Sequence, residues 1–304
     1  MNFRSSTDVV APLMVACFWG LAFIWIKTGL TSFDPFALVV LRLSIAALGF
    51  VGLMAMKVIR FHPVAVVHWP RMILLAGSGV FAYHLSLVTA EQELDASVAS
   101  LIGQTMPLFA LSIEVIAHAH ALSRRMVMGV LMASGGSILV ISSGHMPASG
   151  GLPFGSILLC FLAPLSLSLY TFSAKPMVEK YGAANLTAQV FVLSACILSA
   201  SVLVVKPSIW AQISTANRNA WFSVVCLSVF STVAAYTLWF RSLETRTASQ
   251  LSMYNYCVPL FSLIAAYLFI GEEIHSTMIL GGFFVVGGIA ITRTAPKIHT
   301  RASR

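Results

Sequence analysis

The chain has 304 residues, of which 58% are hydrophobic and only 9% are charged, and its mean hydropathy is +0.90. Soluble domains typically carry about 25% charged residues, so this composition excludes an ordinary water-soluble domain and indicates a membrane protein. The formal net charge of +8 does not indicate a nucleic-acid partner, because the basic residues lie in short loops between apolar runs. The partner that we expect is the lipid bilayer.

Ten apolar runs are long enough to cross a membrane, which takes about 20 residues of helix. The predicted spans are 9–28, 35–56, 71–90, 95–117, 124–143, 153–173, 185–205, 219–240, 247–270 and 276–293. The first run is too long for the apolar region of a signal peptide, so it is expected to remain as a helix. The sequence therefore predicts an all-α membrane protein with ten transmembrane helices, a multi-pass protein of the bacterial inner (plasma) membrane.

Basic residues are distributed unevenly between the two sides of these spans. The N-terminus, the loops after even-numbered spans and the C-terminus hold 14 of them: Arg4, Lys57, Arg60, Arg71, Arg124, Arg125, Lys175, Lys180, Arg241, Arg246, Arg293, Lys297, Arg301 and Arg304. The opposite side holds Lys27, Lys206 and Arg218, while its loops carry the acids Asp34, Glu91, Glu93, Asp95, Glu272 and Glu273. Because cytoplasmic loops are rich in Lys and Arg, both termini are predicted to be cytoplasmic.

The second half of the chain repeats the first at an offset of 152 residues. Ala96-Ser97 corresponds to Ala248-Ser249, Pro107 to Pro259, and Gly135-Gly136 to Gly287-Gly288. The earlier spans match poorly, and Lys27 corresponds to Lys175 only if the offset is four residues shorter.

Two repeats of five helices imply an inverted topology, because an odd number of spans turns the second copy upside down. The predicted halves are residues 1–150 and residues 151–304, the second ending in a basic tail. Inverted repeats are common in secondary transporters that work by alternating access. A duplicated scaffold without transport stays open as an alternative, since glycine-rich spans also serve helix packing.

These motifs together resemble the EamA branch of the drug/metabolite transporter superfamily. The first span carries Trp19-Gly20, Phe23 and Lys27, and the second carries Pro35 followed by Leu41-Arg42-Leu43. The fourth and ninth spans carry Ala-Ser and Pro-Leu, and the ninth ends at Gly271-Glu272. At the position of a Gly-Glu pair in the first half, the chain instead reads Ala117-His118-Ala119-His120.

The resemblance implies ten helices and proton-linked or gradient-driven movement of small metabolites, often amino acids and their relatives, usually outward. We therefore expect a small-molecule substrate and proton coupling. An importer, an exporter of a larger carboxylate-bearing metabolite such as a metallophore, a drug exporter and a channel stay open. Neither zincin nor hydrolase motifs occur, so an enzyme is not expected.

Ionisable residues within the spans are functional candidates, because charge in hydrocarbon costs about 2.5 to 3.5 kcal/mol on insertion scales. Arg42 is expected either to bind a substrate carboxylate or to serve structure. Glu114 is the first choice for proton coupling, with pairing to Arg124 or Arg125 as the alternative. His84 is a second proton-coupling candidate because histidine titrates near neutrality, although a neutral, hydrogen-bonded packing role is favoured over it.

Polar residues near the middle of the fourth and ninth spans predict the substrate site. They are Ser100, Gln104, Ser252, Asn255 and Tyr256. Pairs four residues apart share a helix face, and Pro107 and Pro259 are expected to kink both helices as hinges. Trp19 and Tyr83 are expected to add aromatic walls.

Neither cofactor nor metal is expected. Cys17, Cys160, Cys196, Cys226 and Cys257 lie in apolar runs without a Cys-x-x-Cys pair. His118 and His120 point to different helix faces and have no third ligand nearby in the sequence. A homodimer stays open, since nothing in the sequence requires one.

Overall fold

The computed structural model describes residues 4–94, 96–118, 124–142, 154–205, 209–270 and 276–293. These residues form thirteen helices. They are α1 (Arg4–Gly29), α2 (Pro35–Ala55), α3 (Val66–Glu93), α4 (Ala96–Gly103), α5 (Met106–His118), α6 (Arg124–Ser142), α7 (Phe154–Tyr181), α8 (Ala183–Val205), α9 (Ile209–Thr215), α10 (Arg218–Leu243), α11 (Ala248–Ser252), α12 (Val258–Ile270) and α13 (Ser276–Arg293).

Six of these helices are long and apolar enough to cross a membrane: α1, α2, α3, α7, α8 and α10. They correspond to the first three predicted spans of each half. Large apolar side chains such as Leu48, Phe154 and Phe283 are exposed on the outside of the bundle, where lipid would cover them. The all-helical membrane character is thus confirmed, whereas the count of ten crossings and the side of the termini stay predictions.

Helix α2 shows how the sequence sets a helix start. The Asp34 carboxylate accepts a hydrogen bond from the Ala37 amide at 2.9 Å, and Pro35 occupies the first helical position. An aspartate cap satisfies one of the unpaired amides at a helix N-terminus, and proline lacks the amide that would be unpaired there. The predicted break at Asp34-Pro35 therefore falls where the structure has it.

Two predicted spans are broken helices instead of kinked ones. Residues 104 and 105 separate α4 from α5, and a 3₁₀ turn, Met253–Cys257, separates α11 from α12. Pro107 and Pro259 are each the second residue of the helix that follows the break. The expected mid-helix kink at these prolines is therefore replaced by a helix start, a position where proline costs no hydrogen bond.

Helix ends also differ from the sequence prediction in ways that affect the site. Helix α3 continues to Glu93, so Glu91 and Glu93 are helical and not in a loop. Helix α7 continues to Tyr181, so Lys175 is helical as well, and Lys27 lies in the last turn of α1. Charged residues therefore extend these helices past the apolar runs from which their ends were predicted.

The two predicted halves interlock. Helix α1 packs against α10 and α12 of the second half, while α7 packs against α3 and α5 of the first. Helices α2 and α8 contact each other, and α6 and α13 do the same. Each of these last two pairs joins corresponding helices of the repeat.

Glycines let α6 and α13 approach closely and reciprocally. A Cβ added at Gly136 would lie 2.5 Å from the Gly281 carbonyl oxygen, and one added at Gly288 would lie 2.5 Å from that of Gly129. Gly129 and Gly281 are 152 residues apart, as are Gly136 and Gly288. Small residues at helix crossings in membranes allow this backbone contact. Each helix contacts the other through the corresponding pair of glycines, as expected if a two-fold axis relates the repeats.

The π-helical segments extend the repeat to spans whose sequences match poorly. One segment, Leu75–Ala82, interrupts α3, and the other, Val229–Ala234, interrupts α10. The first segment ends at Ala82 and the second at Ala234, which are 152 residues apart. Such π segments inside α-helices are frequent at functional sites, and both precede residues of the central region described next.

Candidate central cavity

A cavity lies between helices α1, α2, α3, α7 and α10 and the two broken helices. It measures about 50 Å³, which is room for a few water molecules in this conformation. The predicted site residues that line it are Trp19, Arg42, Tyr83, Gln104 and Asn255. Apolar walls come from Ala22, Phe23 and Ile26 of α1, Leu87 of α3, and Ala163, Pro164 and Leu167 of α7.

Arg42 is buried at the cavity wall and held by the π segment of α10. Its Nε donates to Thr232 Oγ1 at 2.8 Å, and its Nη2 donates to Ser231 Oγ at 3.0 Å. The Ser228 hydroxyl in turn donates to the Arg42 carbonyl at 3.0 Å. The hydrogen bonds that Arg42 makes to other described residues use Nε and Nη2, and Nη1 makes none of them.

The π segment of α10 is the common support of two cavity residues. Trp19 Nε1 donates to the Ser231 carbonyl at 3.3 Å, and Thr232 Oγ1 donates to the Leu227 carbonyl at 2.8 Å. Trp19 also packs its ring against Tyr236 and Trp239. The indole is therefore fixed in orientation and forms a rigid wall instead of an interfacial anchor.

The breaks in the two helices bring amide side chains to the cavity. Gln104 Nε2 donates to the Ser100 carbonyl at 3.0 Å, and the same carbonyl accepts from the Gln104 backbone amide at 3.2 Å. Gln104 Oε1 is buried and has no hydrogen-bond partner among the described residues. Asn255 Nδ2 donates to the Gly103 carbonyl at 3.5 Å, a contact between corresponding repeat positions.

The first residues of α5 and α12, Met106 and Val258, also line the cavity. The Val258 amide donates to the Asn255 carbonyl, and Pro107 and Pro259 carry no amide hydrogen. The positive charge at this wall therefore comes from the Arg42 guanidinium.

The structure does not bring all predicted site residues to the cavity. Ser100, Ser252 and Tyr256 do not line it. The Ser252 hydroxyl donates to the Ser249 carbonyl at 2.9 Å, and Tyr256 Oη lies 2.7 Å from Ser134 Oγ on α6. The 3₁₀ turn explains the change, because it turns the chain faster than an α-helix and so rotates Tyr256 off the face of Ser252.

The two proton-coupling candidates lie outside the cavity lining. Glu114 is buried in α5, and its Oε2 has no hydrogen-bond partner in the part of the chain that the structure describes. His84 is fully buried, with Nδ1 2.7 Å from the Val80 carbonyl, and so donates there. Its ring packs against Phe191 and Tyr236, the latter its counterpart 152 residues later. These contacts fit the packing role for His84.

Sequence reasoning missed three polar residues around the cavity: Ser231, Thr232 and Glu91. Ser231 and Thr232 are ordinary small polar residues in an apolar run, and nothing in the sequence distinguishes them from helix-packing residues. The sequence predicts a loop at Glu91, because three acidic residues within five positions (Glu91, Glu93 and Asp95) are typical of a polar loop. The four-residue spacing of Tyr83, Leu87 and Glu91 would have been the available signal.

Metal chemistry has no support in the described residues, among which no group of three or more His, Cys, Asp or Glu residues could hold an ion. His118 ends α5, and His120 lies outside the described residues. The chemistry available to the cavity is binding: a guanidinium and two amides for polar groups, and aromatic and aliphatic walls for the rest of a small molecule.

The fold is that of a helical membrane protein with a central cavity, a class that includes transporters. The profile of the EamA-like transporter family matches residues 7–142 and 154–294. The chain therefore belongs to the EamA-like transporter family, and it is a transporter, not an enzyme.

Curated relatives cover nearly the whole chain. An uncharacterized transporter of Archaeoglobus fulgidus is 27% identical over 286 residues, which are 93% of this chain and 97% of that protein. A probable terminal-alkyne amino-acid exporter of Streptantibioticus cattleyicolor is 21% identical, covering 95% of this chain and 94% of the relative. A probable amino-acid metabolite efflux pump of Salmonella typhimurium is 23% identical, covering 94% and 95%.

A solved crystal structure has the same fold. It aligns with a TM-score of 0.75 at 18% identity and covers 94% of this chain and 96% of the other. At this identity the likeness shows the arrangement of helices and nothing about the substrate.

Proposed function

We propose that this chain is a secondary active transporter of the bacterial inner membrane that exports a small amino-acid-like or amino-acid-derived metabolite by alternating access. The observation that carries the proposal is the cavity itself, in which Arg42 faces a small space together with Gln104 and Asn255. This is the set of groups that an α-amino acid requires.

A zwitterion fits the cavity group by group. Its carboxylate would accept from the Arg42 guanidinium. Its ammonium would donate to Gln104 Oε1, the buried acceptor that has no partner among the described residues. Its side chain would lie against Trp19, Phe23 and Leu87.

The repeat supports alternating access. Corresponding helices contact each other, residues of both predicted halves line the cavity, and α5 and α12 start at its wall. In inverted-repeat transporters the two halves rock around a fixed central site. The division into residues 1–150 and 151–304 and the inverted orientation belong to this proposal.

Export is favoured by relatives, two of which are described as a probable amino-acid exporter and a probable amino-acid metabolite efflux pump. The test is metabolite profiling of cells and medium after deletion and after overexpression of the gene. A compound bearing an amino acid's two charged groups should build up inside the deletion strain and outside the overexpressing strain. Its disappearance from the medium on overexpression would instead identify an importer.

Two variants make that experiment specific for the cavity. Overexpressed Arg42→Gln should leave the medium unchanged, since it removes the charge that receives the carboxylate. Arg60→Gln is the matched control, because Arg60 is an exposed arginine in the connection between α2 and α3. Equal export by Arg42→Gln and the wild type would place the substrate elsewhere.

A further inference from the structure

Glu91 is a buried carboxyl group that the proposed binding site does not use. Its side chain has 0% exposure, and neither carboxylate oxygen has a hydrogen-bond partner among the described residues. Glu93, two residues later, has a hydrogen-bond partner, because its Oε2 accepts from the Ser156 hydroxyl. A buried carboxylate that no donor solvates is costly, so the group must exchange a proton or gain a cation.

The position of Glu91 connects it to the cavity. Tyr83 and Leu87 line the cavity, and Glu91 lies on the same face of α3 one turn further along. Glu91 itself is not part of the lining, so a bound ammonium group does not reach its carboxyl group in this conformation. A proton can reach the carboxyl group along a chain of water or hydroxyl groups, so it is the cation that we expect Glu91 to bind.

Charged and titratable groups face Glu91 from three neighbouring helices. Lys27 of α1 and Arg42 of α2 are the cations whose charges act on its carboxyl group, and Cys160 of α7 is near enough to feel that charge. Tyr83 on its own helix is also within electrostatic range. Helix α4, which also packs there, carries no ionisable residue from Ala96 to Gly103.

Lys27 joins this carboxyl group to a contact between helix ends. Lys27 Nζ donates to the Glu91 carbonyl at 2.6 Å and to the Leu94 carbonyl at 2.8 Å, which ties the end of α1 to the end of α3. The second half contains the corresponding contact, in which Lys175 Nζ donates to the Leu243 carbonyl at 2.8 Å. Glu91 and Leu243 are 152 residues apart.

The two helix-end contacts differ in the acidic side chain that lies near the lysine. At the second contact the corresponding side chain is Leu243, and the nearby acid is Glu179, whose exposed carboxylate pairs with Lys175 at 3.2 Å. At the first contact, the lysine is bound to carbonyls while an unpaired carboxyl group lies buried beside it. Among the described residues of the two contacts, a buried carboxyl group without a hydrogen-bond partner therefore lies only at the first.

We propose that Glu91 is the proton-exchanging carboxyl group of this transporter and controls the Lys27 contact between α1 and α3. With a proton on Glu91, Lys27 stays on the Glu91 and Leu94 carbonyls, as in this structure. When the proton leaves, the carboxylate competes for the Lys27 ammonium and draws it away from those carbonyls. Because Lys27 lies on α1 and Glu91 on α3, proton release replaces the bonds to carbonyls with an ion pair between the same two helix ends, so the proton on Glu91 and the strength of this contact are linked.

The role of Glu91 in coupling rests on the proposed function, whereas the test of its protonation does not require a substrate. Infrared difference spectra of the purified full chain in lipid vesicles, recorded as the pH is changed, detect the C=O stretch of a buried protonated carboxyl group without any substrate. Glu91→Gln should lose that band, while Glu93→Gln should keep it. A band that persists in Glu91→Gln, or that disappears in Glu114→Gln instead, overturns the assignment.

A second pair of variants keeps Glu91 in place, in case Glu91→Gln fails to fold. Lys27→Met should change the pH midpoint of the band, because it removes the nearest cation. Lys175→Met, at the corresponding contact, should leave the midpoint unchanged. Equal effects of the two substitutions would show that Lys27 has no special relation to Glu91 and would contradict the proposal.

Coupling is tested separately in proteoliposomes that contain a trapped pH-sensitive dye, with an equimolar mixture of the common proteinogenic amino acids as probe. Wild-type protein should move protons together with amino acids, and Glu91→Gln should exchange amino acids without proton movement. Proton movement by Glu91→Gln at the wild-type rate overturns the coupling role. If wild-type protein moves no amino acid, the proposed substrate class fails while the infrared result still decides the role of Glu91.

Discussion

Arg42 combines a structural and a binding role. Sequence reasoning treated these as alternatives, one a carboxylate ligand and the other a satisfied structural arginine. The geometry allows both, because Thr232 and Ser231 hold one edge of the guanidinium while Nη1 makes none of these hydrogen bonds. Arginine suits this arrangement because its donors form a rigid planar fork.

The first prediction concerns this fork. In Arg42→Lys the charge remains, but a single ammonium cannot hold the π segment and receive a carboxylate in the same geometry. Losing a hydrogen bond to a charged group costs about 1.5 to 3 kcal/mol, which is roughly a tenfold to hundredfold rise in KM. Transport kinetics with the compound found by metabolite profiling measure this rise in KM, and Arg60→Lys is the control. An unchanged KM with poor yield of folded protein would leave Arg42 a structural role alone.

Gln104 supplies a second prediction at the level of one residue. Gln104→Leu removes the unpaired Oε1 acceptor and also the amide that bonds the Ser100 carbonyl. We expect weaker transport of zwitterions and relatively better transport of the matching carboxylic acids that lack the amino group. Competition assays with an amino acid and its deaminated analogue measure this preference, and an unchanged ratio would remove Gln104 from ammonium recognition.

Helix ends and helix crossings determine what the elements can do. The ends of α1 and α3, and those of α7 and α10, are tied by lysines at corresponding positions. Each lysine is placed at the C-terminus of a helix, where free carbonyls and the helix dipole favour a cation. In this structure both contacts are formed together, so neither end of the bundle is released.

The third prediction follows from these paired contacts. Lys27→Met and Lys175→Met should each open the cavity, and from opposite sides if the repeats are inverted. Cys160 lines the cavity and serves as the reporter once the other four cysteines are replaced. Labelling with a membrane-impermeant maleimide should rise severalfold in right-side-out vesicles for one variant and in inside-out vesicles for the other. A rise on the same side for both would argue against the inverted arrangement.

The crossing of α6 and α13 gives the fourth prediction. Gly136→Ala places a methyl group against the Gly281 carbonyl of the facing helix, and overpacking of this kind costs about 1 to 3 kcal/mol. Gly135→Ala is the matched control, since a Cβ there meets no atom within 4 Å. Thermal unfolding in detergent, followed by size-exclusion chromatography, should show a lower midpoint for Gly136→Ala alone. Equal midpoints would mean that the two helices do not cross at these glycines.

At the scale of the molecule, the topology is the property with the widest consequences. Ten crossings with both termini in the cytoplasm follow from the distribution of Lys and Arg, and six long apolar helices support part of that count. The remaining spans are the broken or shorter helices near the repeat axis. Such interrupted helices are tolerated in a membrane where they line a cavity or are buried in protein.

The fifth prediction tests that topology directly. A green fluorescent protein fused to the C-terminus should fluoresce, and alkaline phosphatase fused there should be inactive, because the C-terminus is expected in the cytoplasm. Fusions after Ser32, in the connection between α1 and α2, should give the opposite pattern. Active phosphatase at the C-terminus would contradict its predicted cytoplasmic position.

The sequence by itself determined the class of protein, the places of the six long apolar spans and the offset of 152 residues that relates the last two spans of each half. These depend on hydropathy and on local spacing, which are written along the chain. It also selected Trp19, Arg42, Tyr83, Gln104 and Asn255, because polar or aromatic residues within apolar runs are few and therefore conspicuous.

Only the tertiary structure decided which polar residues share one cavity and which do not. Tyr256 left the predicted face because a 3₁₀ turn replaced the α-helix, and Ser231 entered the site because α10 packs beside α1 and α2. Glu91 became a buried carboxyl group because α3 extends beyond its apolar run and α1, α2 and α7 enclose its end. Contacts between helices distant in the chain depend on packing, and packing leaves no periodic signal in any one span.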